Sequence, residues 1–268
     1  MSDAKSDAES DAVLRVDEDG GNVTITLSRP RQRNALSLDG MRELTAAIAK
    51  IGGSGQSRSI VLTGDGAFCA GADLRDVVAR RAMPVEARRA DVRDVAQALI
   101  RAVIDSPVPL FAAIDGPAVG LGFDLALACD DLFFGPAGWA MQGWGRIGAI
   151  PGTGGELLLR RRNAGLLWRL LATQARIDGP LAERWGIGEA VAEGTALQAA
   201  RERASALNSL PLAAVHAYVA LSREALRRDL DRHLELCAQV QPTLLADAGI
   251  SGRVDAVLGP SAGGEGRP

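Results

Sequence analysis

The chain has 268 residues, 47% hydrophobic and 24% charged, with a formal net charge of −3, the balance of a globular protein long enough for one large core or two modest ones. This excludes a disordered polymer, a collagen-like repeat and a disulfide scaffold, and leaves no global basic field for nucleic acid or an anionic membrane. No apolar run approaches the roughly 20 residues of a spanning helix, and the acidic opening Met1–Asp11 lacks the apolar segment of a signal peptide. Cys69, Cys129 and Cys237 are few, odd in number and widely spaced, which reads as reduced thiols and a cytoplasmic location.

Residues 1–12 repeat Ser-Asp-Ala and read as a disordered acidic tail. Val13–Val16 and Val23–Leu27 alternate at period two about Asp19-Gly20-Gly21, which predicts a hairpin. Ser37 or Asp39 is placed to cap a helix running to Lys50, and Ser59–Thr63 predicts a short buried strand ended by Gly64-Asp65-Gly66. Helical periodicity covers 75–105 with a break at Pro84. Leu110–Ile114 predicts a strand, Leu121–Cys129 a helix and Asp131–Phe134 another strand. After Gly155 the pattern is mostly helical through about Ala246. Strands alternating with helices, then helices alone, predict an α/β core over 13–200, a helical region over 201–258 and a flexible tail at 259–268.

Two predicted strands end in glycine-rich turns that lead toward helices: Phe68-Cys-Ala-Gly-Ala-Asp-Leu74 and Asp115-Gly-Pro-Ala-Val-Gly-Leu-Gly-Phe-Asp124. Glycine permits close backbone approach, and a helix start presents unpaired N–H groups and the positive end of its dipole. Two such turns facing each other would hold an oxygen that becomes negative, a service worth roughly 3–4 kcal/mol per donor in hydrolytic enzymes. Taken singly, they also read as ordinary strand-to-helix turns. Gly120-x-Gly122 does not complete a dinucleotide fingerprint, because the third glycine position is Leu125.

With Arg33-Asn-Ala-Leu36, the run Ala112–Asp130 and Ile150-Pro-Gly-Thr-Gly-Gly155, these turns fall in an order that resembles the enoyl-CoA hydratase/isomerase (crotonase) superfamily from about Val13 to Leu258. The resemblance implies an α/β, ClpP/crotonase-like spiral of repeated ββα units with a helical C-terminal region that serves oligomerisation, in a homotrimer or dimer of trimers. It implies an acyl-CoA thioester substrate, with coenzyme A as part of the substrate and no separate cofactor or metal. By position, the oxyanion-hole amides fall on Ala72 and Leu121, the latter where glycine is usual. Arg31, Asn34, Ala35 and Leu36, with Ala70 and Gly120, fall along the coenzyme A and thioester site. Arg75 sits where relatives often carry a basic residue near the phosphates, and Asp73 matches a helix-start carboxylate.

The acid/base positions depart from that pattern. The first hydratase glutamate falls on Asp124, one methylene shorter; the second falls on Trp144, in Met141-Gln-Gly-Trp-Gly-Arg146. Tryptophan exchanges no proton in this role. Asp124 has three open readings: sole acid/base with a pKa raised by burial, a group that orients a hydroxyl or water, or a first-turn aspartate favoured by the helix dipole. Trp144 reads as pocket wall. The nominal activity implied is enoyl-CoA hydration, with isomerase or decarboxylase chemistry, or acyl-CoA binding without catalysis, as alternatives. His216 and His233 read as surface or packing residues, Glu156 as a helix start, Arg146 as exposed or carboxylate-facing, and Tyr218 carries no assigned role. The far tail, Gly-Pro-Ser-Ala-Gly-Gly, departs from the basic-aromatic ending of relatives, which implies either weaker grip on coenzyme A or a different acyl carrier.

Overall fold

The computed structural model describes residues 13–259, so the expected acidic tail at 1–12 and nearly all of the 259–268 tail lie outside the described residues. A hairpin opens the chain: β1 (Leu14–Asp19) pairs antiparallel with β2 (Asn22–Leu27) across Gly20 and Gly21, both at positive φ. Two glycines supply that left-handed turn at no steric cost. Helix α1 (Leu38–Gly52) starts at Ser37, whose side chain accepts the Gly40 N–H, and buries Met41, Leu44 and Ile48 on one face.

Strand β3 (Ser59–Gly64) then pairs parallel with β2. The expected helical stretch is built from α2 (Leu74–Ala79), a 3-10 turn, α3 (Val85–Ala90) begun at Pro84, a π-helical turn over Asp91–Ala96, and α4 (Gln97–Asp105). Strand β4 (Leu110–Ile114) joins β3, and a three-residue strand, β5 (Pro117–Val119), leads into α5 (Leu121–Ala128). Next come β6 (Asp131–Phe134), β7 (Trp139–Met141), a 3-10 turn at Trp144–Ile147, α6 (Gly155–Arg162) and α7 (Leu167–Thr173). The remainder is β8 (Ile177–Asp178), α8 (Gly179–Arg184), β9 (Glu189–Ala190), α9 (Ala196–Ala206), α10 (Leu212–Leu244) and α11 (Ile250–Leu258).

Two sheets result, a six-stranded one in the order β1-β2-β3-β4-β6-β9 and a three-stranded one in the order β5-β7-β8. The central strands of the larger sheet are buried on both faces, as continuous apolar runs in parallel sheets are. The period of two sorts their side chains. Ile60, Leu62, Ala112 and Ile114 enter the main core with α1, α4 and α5, while Val61, Phe111, Ala113 and Phe133 meet Ala196, Ala200 and Ala204 of α9 on the other face. This is the layered α/β arrangement that the resemblance implies. A second sheet layer is part of the spiral that the resemblance implies, but its strands were not located in the sequence, because three- and two-residue strands leave no period to read.

Helix α10 is tied to the core by one arginine. Arg223, buried at 3% exposure, donates to the Asp130 carboxylate and to the carbonyls of Val103, Ile104 and Ser106 that end α4. Those carbonyls have no intrahelical partner of their own. No single helix among the described residues is long and apolar enough to cross a membrane.

Candidate active site

The two glycine-rich turns lie against each other through their main chains. Cys69 N–H donates to Pro117 O at 3.0 Å and Val119 N–H donates to Cys69 O at 2.9 Å, while Leu36 N–H donates to Gly71 O at 2.8 Å. Gly71 holds φ +102°, and a Cβ there would stand 2.6 Å from Val119 O and 3.4 Å from the Leu121 nitrogen, so only glycine lets the turns close. Leu121 is the first residue of α5 and follows Gly120 at φ +54°; its side chain is buried in the core. Among the described residues neither the Ala72 nor the Leu121 N–H reaches a backbone acceptor. Ala72, Leu121 and Trp144 line one cleft with Leu36, Met41, Val77 and Thr153, and also line an adjoining pocket with Ala70, Gly71, Gly120 and Arg146.

Behind this cleft sits Asp124, in the first turn of α5 with 0% exposure. Its Oδ2 accepts the Trp144 Nε1–H at 3.0 Å and the Thr153 hydroxyl at 2.7 Å, and its Oδ1 accepts the Gln142 amide at 3.0 Å. Burial raises its pKa from 3.8 to about 6, with the bonds from Thr153, Gln142 and Trp144 pulling the other way. Gly155, opening α6, packs so close that a Cβ there would stand 1.8 Å from Asp124 Oδ1. Trp144 lines the cleft at 7% exposure, whereas Asp124 is not among the cleft-lining residues. The indole therefore lines the cleft that the carboxylate bonded to it does not reach.

The remaining candidates separate into groups. Leu36 lines the cleft, and the side chain of Asn34 is buried and fully used: it accepts the Arg29 N–H and donates to the carbonyls of Asp65 and Ala67. Arg31 is exposed in a 3-10 turn, Ala35 is partly buried, and Arg75 is an exposed residue of α2 outside the cleft-lining set. Asp73 caps α2 by accepting the Arg75 N–H. Glu156 does start a helix, pairing with Arg160 at 3.1 Å and lying 3.6 Å from His233 Nε2. His216 is on α10, and Tyr218 is exposed there. Gln142 and Thr153 went unassigned in the sequence, although Thr153 lies inside a segment that carries the resemblance and Gln142 inside the one that departs from it; a lone Gln and Thr amid apolar and glycine residues was the available signal. Gln241, which lines the cleft and accepts the Ile150 N–H at 3.0 Å, had none. Among the described residues no three His, Cys, Asp or Glu side chains assemble as metal ligands.

The family model described as "Enoyl-CoA hydratase/isomerase" matches residues 17–253. A "Probable enoyl-CoA hydratase" of Rhodobacter capsulatus is 35% identical over 91% of this chain and 94% of its own length. A "Putative enoyl-CoA hydratase/isomerase YngF" of Bacillus subtilis is 34% identical over 80% of this chain and 82% of its own. Among solved structures, an enoyl-CoA hydratase/isomerase from Mycobacterium paratuberculosis superposes with a TM-score of 0.84 at 24% identity, covering 91% of this chain and 98% of that one. That likeness shows the fold, the crotonase spiral.

Proposed function

This chain belongs to the enoyl-CoA hydratase/isomerase family, and on that premise we propose that it binds an acyl-CoA thioester with the carbonyl oxygen between the Ala72 and Leu121 amides, stabilising enolate character there without adding water. Coenzyme A enters as part of the substrate. Leu36, Ala70 and Gly120 flank its path.

One observation carries the proposal: the Trp144 indole, bonded to Asp124 at 3.0 Å, lines the cleft where a second carboxylate would activate water. Syn addition of water needs a placed nucleophile and a proton donor. Asp124 has three donors on two oxygens and no cleft face, so it serves as a positioning residue that fixes the indole. Isomerase or decarboxylase chemistry, which draws mainly on the oxygen site, remains open to such a cleft. Acyl-CoA binding without turnover does too.

A second reading has one observation in its favour. A carboxyl with a pKa near 6 is poised to exchange protons near neutrality, so Asp124 acts as sole acid/base if the indole turns aside. We also propose a homotrimer or a dimer of trimers, a reading supported by Trp168 on α7 and Tyr218 and Leu221 on α10, each more than two-thirds exposed.

The test is incubation with crotonyl-CoA and with longer, unsaturated and carboxylated acyl-CoAs, followed by mass spectrometry. Binding without a gain of water is the expected result, with any isomer or decarboxylated product naming the reaction. Hydration of crotonyl-CoA that is lost in Asp124→Asn would instead establish the second reading.

A further inference from the structure

The cleft that Ala72 and Leu121 share is walled chiefly by hydrocarbon. Leu36, Met41, Val77, Val92 and Leu245 line it, together with the Trp144 indole. The indole stands beside the amide itself: a Cβ built on Gly120, the residue before Leu121, would lie 3.7 Å from Trp144 Cε2 and 3.8 Å from Nε1. The carbons that follow a carbonyl oxygen held between Ala72 and Leu121 therefore start beside an aromatic ring.

The polar side chains of this wall are engaged by the protein. The Trp144 N–H and the Thr153 hydroxyl both donate to Asp124, at 3.0 Å and 2.7 Å. Gln241 accepts the Ile150 N–H at 3.0 Å, and Arg80 grips Asp91 at 2.6 Å and 2.8 Å. Arg88 donates to the carbonyls of Arg81, Met83 and Pro242. Asp76 is partly exposed, so water serves its carboxylate. Among the described residues, the buried side-chain polar atoms without a partner belong to Arg89, Gln142, Gln174, His216 and His233, and none of these five residues lines the cleft. A site built to hold a hydroxyl or a carboxylate keeps a buried donor or acceptor waiting for it; this wall keeps none.

Resting on the acyl-CoA reading above, we infer that the acyl group is an unsubstituted hydrocarbon chain, and that Trp144 makes the cleft discriminate against chains bearing a hydroxyl. A methylene that enters the cleft leaves water and loses nothing by it. A hydroxyl that enters gives up its hydrogen bonds to water without replacement, and a terminal carboxylate gives up more. The 3-hydroxyacyl product of hydration is then a poorer ligand than the chain without the hydroxyl, in keeping with a cleft that adds no water.

Calorimetric titration with butyryl-CoA, octanoyl-CoA, 3-hydroxyoctanoyl-CoA and suberoyl-CoA tests this, because the coenzyme A contribution cancels in each ratio. Octanoyl-CoA is expected to bind at least about tenfold tighter than butyryl-CoA, since four further methylenes leave water at up to about fourfold each. It is expected to bind about ten- to a hundredfold tighter than 3-hydroxyoctanoyl-CoA, with suberoyl-CoA, which ends in a carboxylate, no better than the hydroxylated ligand. Trp144→Gln puts an amide into the same wall, and the hydroxyl penalty should narrow there to about threefold. An indole that merely supports the fold would leave that ratio where it was. Equal binding of octanoyl-CoA and butyryl-CoA, a hydroxylated or carboxylated ligand that matches octanoyl-CoA, or a penalty untouched by Trp144→Gln overturns the proposal and leaves the acyl-CoA reading intact. Should the variant not fold, the ratios in the unaltered protein decide. Failure of all four ligands to bind overturns both.

Discussion

Trp144 and Asp124, twenty residues apart in sequence, are bonded to each other through indole Nε1–H and carboxylate Oδ2 at 3.0 Å. The bond ties the 3-10 turn after β7 to the first turn of α5 and closes the back of the cleft. It also joins the two positions where the sequence reads as departing from the hydratase pattern. An indole N–H needs an acceptor when buried, and a buried carboxylate needs donors, so each side chain supplies what the other lacks.

Trp144→Phe removes that donor and keeps most of the apolar wall. A hydrogen bond to a charged group is worth about 1.5–3 kcal/mol, so urea denaturation at pH 7 should show a loss of that order. At pH 4, where Asp124 is neutral, the loss should shrink toward about 1 kcal/mol. A loss independent of pH would mean that the bond does not sense the carboxylate charge.

The raised pKa of Asp124 sets a pH window. The folded protein keeps the Asp124 proton up to a pKa of about 6, against 3.8 for the free carboxyl, so between those values it binds more protons than the unfolded chain. Stability from this group is therefore highest below about pH 4, falls through the window and stays lowered above about pH 6, by about 3 kcal/mol at 1.36 kcal/mol per pKa unit. Comparison with Asp124→Asn at pH 4 and pH 7 isolates the effect, since the other carboxylates titrate in both proteins. Parallel pH dependences would refute it. Gln142 eases the change of state: its Oε1 is buried with no partner, so a flipped amide accepts the proton of a neutral Asp124 or the N–H of its asparagine replacement.

Gly155→Ala should be far more costly than an ordinary helix-start substitution. The new Cβ falls 1.8 Å from Asp124 Oδ1 and 2.3 Å from its Cγ, so the carboxylate must leave its three donors or α6 must move. We expect a loss of about 3 kcal/mol, much of it recovered in the double variant Gly155→Ala/Asp124→Ala. A double-mutant cycle showing no coupling would argue that strain enters elsewhere.

Arg223→Leu strips the Asp130 carboxylate and the end of α4 of their shared donor. Removing one partner of a fully buried ion pair costs about 3–5 kcal/mol; Asp130 is a quarter exposed and keeps the Leu110 N–H, so a loss at or below the lower end, about 2–3 kcal/mol, is expected. Chemical denaturation should show it, with α10 losing amide protection before the sheet does. A variant of unchanged stability would mean that α10 docks through its apolar face alone.

The backbone of this site was legible in the sequence, and much of its side-chain wiring was not. Ser37 as a cap, Gly20-Gly21 as a hairpin turn and Pro84 as a break each act locally, and each is found where the sequence predicts it. The short apolar runs at Ser59–Thr63 and Leu110–Ile114 are found as the buried strands β3 and β4. By contrast, the partners of Asp124 come from the link after β7, from the 3-10 turn and from the loop before α6, elements with no periodicity that only tertiary packing brings together. Asn34 shows the same limit: it sits in a segment expected to follow a nucleotide, yet a positive φ of 56° turns its amide inward to bind main-chain groups. The π-helical turn at Asp91–Ala96 had no sequence signal either.

The close packing of Gly71 against the Val119 carbonyl, with Gly120 at positive φ beside it, has one more consequence. The N–H groups of Ala72 and Leu121 are positioned by peptide planes and turn geometry, whereas the Asp124 carboxylate and the indole that covers it hang on Cβ atoms at 124 and 144. On the proposed acyl-CoA reading these are two separately alterable parts, one for an oxygen and one for a proton. Point mutation at 124 or 144 would then change the second and leave the first untouched, so that one scaffold would serve as catalyst or as carrier.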